Sequence, residues 1–300
     1  MFLGSLGSSF LRDTRHQAKK GSESSKHDYS LSVSGTPNSP RARENVPIDI
    51  EQRLDLGGEA RPKYEVIILA AGTSSRALPV TKGFPKCLLT VKGKTILRHQ
   101  IDSLRMYGVE MFTVVAGYKH DRITPFLRNE NIRLILNPDY EGSGSLYSLW
   151  LTKRTYEHGI IIINSDVYMP SQLAGKMVCS ESENAALVDT SAEWDGESTK
   201  VKIRDGRIVL WSRDLTKTES SGENIGVVRI IKKDVWEFYR VVDALINRGS
   251  KDKWWPDALN QFATSRTVVP IETGAMFCIE IDTLRDYYKA LKRVNGPACR

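Results

Sequence analysis

Between positions 69 and 86 the chain reads Leu69-Ala70-Ala71-Gly72-Thr73-Ser74-Ser75-Arg76, then Thr81, then Phe84-Pro85-Lys86. Small residues where a strand ends let the backbone approach a ligand closely, and successive loop amides at such a point surround phosphate oxygens. Arg76 and Lys86 bring two cations to the same place. Gly72 alone is equally well explained by an ordinary turn. The combination of a small loop, an arginine, a threonine and Pro-Lys points instead to a polyphosphate cradle. Two familiar phosphate loops are excluded. Thr73, Ser74 and Ser75 follow Gly72 where GxGxxG requires another glycine, and no Gly-Lys-Ser/Thr closes a Walker-type loop.

Acidic residues supply the second half of the chemistry. The run Ile160-Ile161-Ile162-Ile163-Asn164-Ser165-Asp166 delivers a carboxylate where a buried strand ends, the edge at which open α/β sheets bind ligands. Such an aspartate also serves as a turn residue or helix cap. A later stretch, Cys278-Ile279-Glu280-Ile281-Asp282-Thr283, places Glu280 and Asp282 on one strand face by alternation. Acidic groups at two separate strand ends favour a divalent cation between them, and hard oxygen ligands suit Mg²⁺. His16, His27, His99, His120 and His158 show no metal-ligand spacing.

These groups need a scaffold that brings distant segments to one edge. Short β-branched runs alternate with amphipathic stretches from position 64 onward: strands over 66–69, 88–91, 112–116, 133–136 and 160–164, and helices over 95–107, 121–128 and 145–155. Strands so uniformly apolar are buried on both faces, which calls for a mostly parallel sheet with helices on either side. After Asp166 the pattern turns antiparallel. It gives a hairpin over 201–211 around Asp205-Gly206, a strand over 225–231, a helix over 234–247, a Trp-rich segment at Trp254, strands near Val268 and Cys278, and a closing helix over 283–294. The expectation is an α/β fold with an antiparallel insertion.

Composition bounds the rest. The 300 residues are 40% apolar and 26% charged, which excludes fibrous, collagen-like and wholly disordered classes. The longest apolar runs, 66–71 and 160–163, are too short to span a bilayer. Four scattered cysteines without a CxxC pair favour a reducing compartment, so a cytoplasmic location is expected. Residues 1–60 carry balanced charge and ten serines in the first forty, and read as a disordered extension, with a targeting segment as the alternative. The net charge of +7 therefore belongs to residues 61–300, read as one domain, and suits an anionic ligand. No nucleic-acid-binding module is recognisable, which leaves small anions as partners.

The early loop resembles that of the nucleotidyltransferase superfamily, whose signature runs LAAGxGxR, then T, then PK; Ser74 stands here in place of the second glycine. The resemblance extends over about 64–290 and implies a Rossmann-like mixed sheet. It also implies nucleotide binding by Leu69, Ala70, Ala71, Gly72, Thr73, Ser74 and Ser145, catalytic cations at Arg76 and Lys86, and Mg²⁺ held by Asp166, Glu280 and Asp282. The runs Asn137-Pro138-Asp139-Tyr140, Ser148-Leu149 and Gly222-Glu223-Asn224-Ile225-Gly226 look most like the phosphocholine and phosphonate cytidylyltransferase branch, although Gly144 and Ser145 replace its usual asparagines. That branch implies CTP as donor and a phosphorylated or phosphonate acceptor. Aromatic faces hold quaternary ammonium groups, which makes Tyr140, Trp254 and Trp255 candidate acceptor contacts, beside Tyr147, Trp150, Trp194 and Trp211. The alternatives are a sugar-1-phosphate nucleotidyltransferase using UTP, GTP or dTTP, and a non-catalytic nucleotide-binding module. Homo-oligomerisation is allowed. On this reading Lys86→Ala leaves stability nearly intact.

Overall fold

Seven consecutive buried residues, Tyr64–Ala70, form the first strand, β1. The computed structural model describes residues 64–73, 81, 83–128, 130–179, 183–192 and 198–295; the extension expected over 1–60 lies outside them. Alternation explains the burial. Val66, Ile68 and Ala70 pack into one apolar layer with Leu97, Ile101 and Leu104, while Ile67 and Leu69 face a second layer that includes Val228, Phe238, Leu259 and Phe262. A strand enclosed on both faces must be apolar throughout, which is why 66–69 is legible as a strand without any polar face.

The remaining strands of the main sheet follow from the same texture. They are β4 (Met111–Ala116), β5 (Ile132–Leu136), β6 (Gly159–Asn164), β8 (Asn184–Asp189), β9 (Lys200–Arg204), β10 (Arg207–Ser212), β11 (Gly222–Ile230) and β12 (Val268–Glu272). Their order is β10-β9-β11-β6-β1-β4-β5, with β8 pairing β11 and β12. β1 is parallel to both β4 and β6, and β4 is parallel to β5. β11 runs antiparallel to β6, and β9 and β10 form the expected hairpin. The result is the mixed Rossmann-like α/β sheet anticipated, with the antiparallel portion after Asp166.

Helices cover the two faces. The first, α1 (Ile96–Arg105), starts at Thr95, whose side chain accepts a hydrogen bond from the Arg98 amide at 3.2 Å. It is followed by α2 (His120–Leu127), α3 (Ser145–Trp150), α4 (Ser171–Cys179), α5 (Lys232–Asn247), α6 (Pro256–Phe262) and α7 (Leu284–Asn295). Among the described residues no helix is long and apolar enough to cross a membrane.

Three expectations are corrected. The strand over 88–91 is instead a single 3-10 turn at Lys86–Leu88 followed by a two-residue hairpin, β2 (Thr90–Val91) with β3 (Lys94–Thr95), outside the main sheet. Leu89 and Val91 pack against Ile281 and Ala290 rather than in the central layers. The helix over 145–155 ends at Trp150. The strand near Cys278 is only β13 (Ile279–Glu280), paired with β7 (Val167–Tyr168), so Asp282 lies beyond the strand and the shared-face alternation does not extend to it.

Topology decides where ligands go. The chain leaves β1 toward β4 on one side, and β6 joins β1 on the other, so the carboxyl ends of β1 and β6 flank a topological switch point. Register brings Leu69 opposite Asn164, and the Ser165 amide donates to the Leu69 carbonyl at 3.2 Å. On the far side of β6, the register of β11 against β8 shifts between Asn224 and Val228, and Gly226 lies there with φ of +70°. A Cβ at 226 would stand 2.5 Å from Asn164 Nδ2. Gly226→Ala therefore meets both a disfavoured backbone region and a collision, and should destabilise the protein by more than ~1 kcal/mol. Urea denaturation midpoints of the two proteins measure it, and an unchanged midpoint contradicts it.

Candidate active site

A cleft of about 450 Å³ opens at the carboxyl ends of β1 and β6. Leu69, Ala70, Ala71, Gly72 and Thr73 line one side, as the early loop implied. A Cβ at Gly72 would meet no atom of the described residues within 4 Å. Ser74 and Arg76 lie outside the described residues. Lys86, Ser145, Asp166, Glu280 and Asp282 line the same cleft, together with Tyr140, Trp254 and Trp255. Segments more than two hundred residues apart in sequence thus meet at one edge of the sheet.

Lys86 stands at its centre. Its Nζ donates to Asp166 Oδ2 at 2.9 Å and to Asp282 Oδ1 at 2.5 Å, with only 11% of its side chain exposed. Burial opposes a charged amine here, but the attraction of Asp166 and Asp282 and their hydrogen bonds outweigh it and hold the ammonium above its ordinary range. Lys86 is therefore a cation at neutral pH that ties together the ends of two acidic segments. Its neighbour Cys87 is no nucleophile: burial pushes the thiol up to about 12. Burial likewise raises Cys278.

Glu280 plays a different part from the other two acids. Its Oε1 accepts from Asn164 Nδ2 at 2.7 Å. Desolvation first, and then the charges of Asp166 and Asp282, push its pKa well above the usual carboxylate range, which favours the neutral acid. Among the described residues no three His, Cys, Asp or Glu side chains gather as a metal-holding group. Asp166 and Asp282 both face Lys86 Nζ. With that ammonium turned toward a bound phosphate, the two carboxylates, completed by substrate phosphate and water, would make the usual protein contribution to a Mg²⁺ site. The donor set fits that ion.

Several positioning residues carry no motif. Gln100, fully buried on α1, donates through Nε2 to the carbonyls of Asn164 and Val167, each at 2.8 Å, and so clamps the backbone on both sides of Asp166. Asn164 Oδ1 accepts the Trp255 indole N–H at 2.9 Å while its Nδ2 serves Glu280, joining three segments through one amide. Asn137 Nδ2 donates to Ser143 Oγ and Ser148 Oγ, each at 3.0 Å, which knits the loop before α3 to the helix itself. A glutamine on an amphipathic helix and an asparagine at a strand end give no spacing signal; the one cue the sequence offers is that Gln100 falls on the apolar stripe of Leu97, Ile101 and Leu104.

Ser145 and the Trp-rich segment form one unit. The Gly144 amide donates to the Lys251 carbonyl at 2.9 Å, the Leu146 amide to Lys253 at 3.1 Å, and the Trp255 amide to Ser145 Oγ at 3.1 Å. A Cβ at Gly144 would fall 2.0 Å from the Lys253 oxygen, which accounts for glycine there. Trp255 is 1% exposed and structural, whereas Trp254 is 40% exposed at the cleft.

Parallel strands diverging around a switch point, a small-residue loop, and a lysine between two aspartates define a nucleotidyltransferase-type site. The MobA-like NTP transferase domain family matches residues 66–232, and the chain belongs to it. Among curated relatives, the CTP:phosphoglutamine cytidylyltransferase of Campylobacter jejuni is 30% identical, covering 59% of this chain and 78% of that one. The choline-phosphate cytidylyltransferase of Streptococcus pneumoniae is 26% identical over 75% and 96% respectively. In structure, the inositol-1-phosphate CTP transferase from T. maritima superposes with a TM-score of 0.66 at 23% identity, covering 79% and 99%; at that identity the likeness is one of fold. Asp282 and the Trp254–Trp255 pair lie beyond the family-matched residues.

The ion-pair geometry argues against the expectation that Lys86→Ala leaves stability nearly intact. Lys86→Met removes the ammonium that Asp166 and Asp282 share and should cost about 2 kcal/mol or more, since removing one partner of a buried ion pair leaves the other charge less compensated. Adding Asp282→Asn should recover part of the stability but not turnover. Denaturation midpoints of the single and double variants check this; an undiminished midpoint for Lys86→Met contradicts it.

Proposed function

We propose that the protein transfers CMP from CTP to a phosphorylated or phosphonate small molecule and releases pyrophosphate. The observation that carries this reading is the juxtaposition of the Leu69–Thr73 loop with Lys86, Asp166 and Asp282 in one cleft. The backbone amides of the loop bind triphosphate oxygens, and Lys86 with Arg76 offsets charge on the transferring and leaving phosphates. Asp166 and Asp282 would hold Mg²⁺, which when bound would neutralise the repulsion between the anionic acceptor and the α-phosphate. An acceptor phosphate is already ionised at neutral pH, so no general base is needed, in keeping with the protonated Cys87 and the scattered histidines. CTP as donor draws its support from the relatives, which are named as cytidylyltransferases or a CTP transferase. The non-catalytic alternative is disfavoured by the presence of both aspartates and the lysine in the cleft.

Pyrophosphate release is measured with CTP, UTP, GTP and dTTP in turn against a set of phosphorylated acceptors. CTP should support the fastest turnover; a preference for UTP, GTP or dTTP returns the sugar-1-phosphate alternative. Asp166→Asn should lower kcat by about 10² or more and abolish the response to added Mg²⁺. A variant retaining full metal response moves the cation elsewhere.

A further inference from the structure

The half of the cleft built from chain after Asp166 is unlike a cage for a cation. Trp254, the exposed aromatic there, already carries a resident cation: the Arg213 guanidinium lies 3.2 Å from its ring centroid. Tyr147 is stacked on Trp150 and has Lys251 Nζ at 4.3 Å from its centroid. Trp255 is buried, with its indole N–H donated to Asn164. Of the aromatic residues that line the cleft, Trp254, the most exposed, therefore has a face engaged by this chain's own arginine, and a second cation brought to it meets a like charge. Trp194 lies outside the described residues.

Asn224 offers the complementary feature. It sits on β11 two residues before the Gly226 distortion, is 3% exposed and lines the cleft. Its Oδ1 has no hydrogen-bond partner among the described residues. A buried carbonyl oxygen left without a donor is unfavourable, and a ligand that brings the donor relieves it. A carboxamide side chain presents both an acceptor and two donors. A hydroxyl or amide on the ligand complements both ends; a trimethylammonium group, with neither an N–H nor a lone pair, complements none.

Resting on the nucleotidyl-transfer reading above, we infer that the acceptor is a phosphate whose far end bears hydroxyl groups, that Asn224 selects it, and that a quaternary-ammonium acceptor is disfavoured. This narrows the expectation that Tyr140, Trp254 and Trp255 grip a choline-like head. Of the three, Trp254 carries Arg213, Trp255 is buried, and Tyr140 packs edge-on against Tyr118.

The test compares myo-inositol 1-phosphate and glycerol 3-phosphate with phosphocholine as acceptors for CTP, reading pyrophosphate, in wild type and in Asn224→Leu. At least one hydroxylated acceptor should exceed phosphocholine in kcat/KM by about tenfold or more, because a site built around a hydrogen bond rejects analogues that lack it. Asn224→Leu should lower kcat/KM for the hydroxylated acceptors by about fivefold or more beyond any loss seen with phosphocholine, and Asn224→Gln should restore part of it. A wild-type preference for phosphocholine overturns the inference, as does an equal loss with every acceptor in Asn224→Leu. Absence of turnover with every acceptor and triphosphate overturns nucleotidyl transfer itself. Calorimetric titration of the same three acceptors then still decides the inference: tighter uptake of a hydroxylated acceptor supports it, and tighter uptake of phosphocholine or uptake of none of the three refutes it.

Discussion

Two aspartates with most of their side chains withdrawn from water repel each other unless something positive stands between them, and in this protein that something is Lys86. The ammonium bonds to Asp166 across 80 residues of sequence and to Asp282 across 196. The three groups come from a 3-10 turn after β1, the end of β6 and the segment after β13. Their meeting requires each element to end at the same level of the sheet. The parallel pairing of β1 with β6, the Gln100 clamp around Asp166 and the small β7–β13 pairing can all be understood as enforcing that level. The electrostatics and the topology are therefore one constraint. The same charges that would repel in isolation supply, once bridged, a compact region of fixed polarity facing the loop at Leu69–Thr73.

Much of this was legible in the residues themselves. Uniformly apolar strands such as Ile160–Ile163 have few other destinations than a doubly covered sheet, and small residues after β1 mark a backbone left open to a ligand. The features that residue type and spacing do not reveal are of two physical kinds. Short elements such as β2, β7 and β13 are set by long-range partners rather than by local periodicity, so 88–91 read as a sheet strand although its apolar residues serve a small cluster with Ile281 and Ala290. Buried amides were the second kind. Gln100, Asn137 and Asn164 act through the particular carbonyls and hydroxyls they reach, and nothing in residue type or spacing announces that. Glu280 and Asp282 look equivalent in the sequence; their surroundings distinguish them, since one hydrogen-bonds an amide and the other a lysine.

The cleft divides along the chain. The family-matched stretch, 66–232, supplies the loop, Lys86, Asp166 and Asn224, whereas Trp254, Trp255, Glu280 and Asp282 come from the 68 residues that follow it. Later segments are fastened to the earlier scaffold by polar contacts as well as by packing. Asn164 reaches Trp255 and Glu280 at once, and the Ile281 amide donates to the Asp166 carbonyl at 3.0 Å. A common floor at the carboxyl ends of β1 and β6 can in this way be combined with walls of different chemistry, provided the fastening atoms are kept.

The splice between the start of α3 and the segment 251–255 carries a consequence for how such a chain can change. Gly144, Ser145 and Leu146 hand their polar groups one by one to Lys251, Trp255 and Lys253, at a spacing that leaves no room even for a methyl group on residue 144. Lengthening or shortening either stretch alone would slide the whole ladder out of step, so the two behave as a single length-locked joint. Tags, insertions and domain grafts belong on other loops of the molecule.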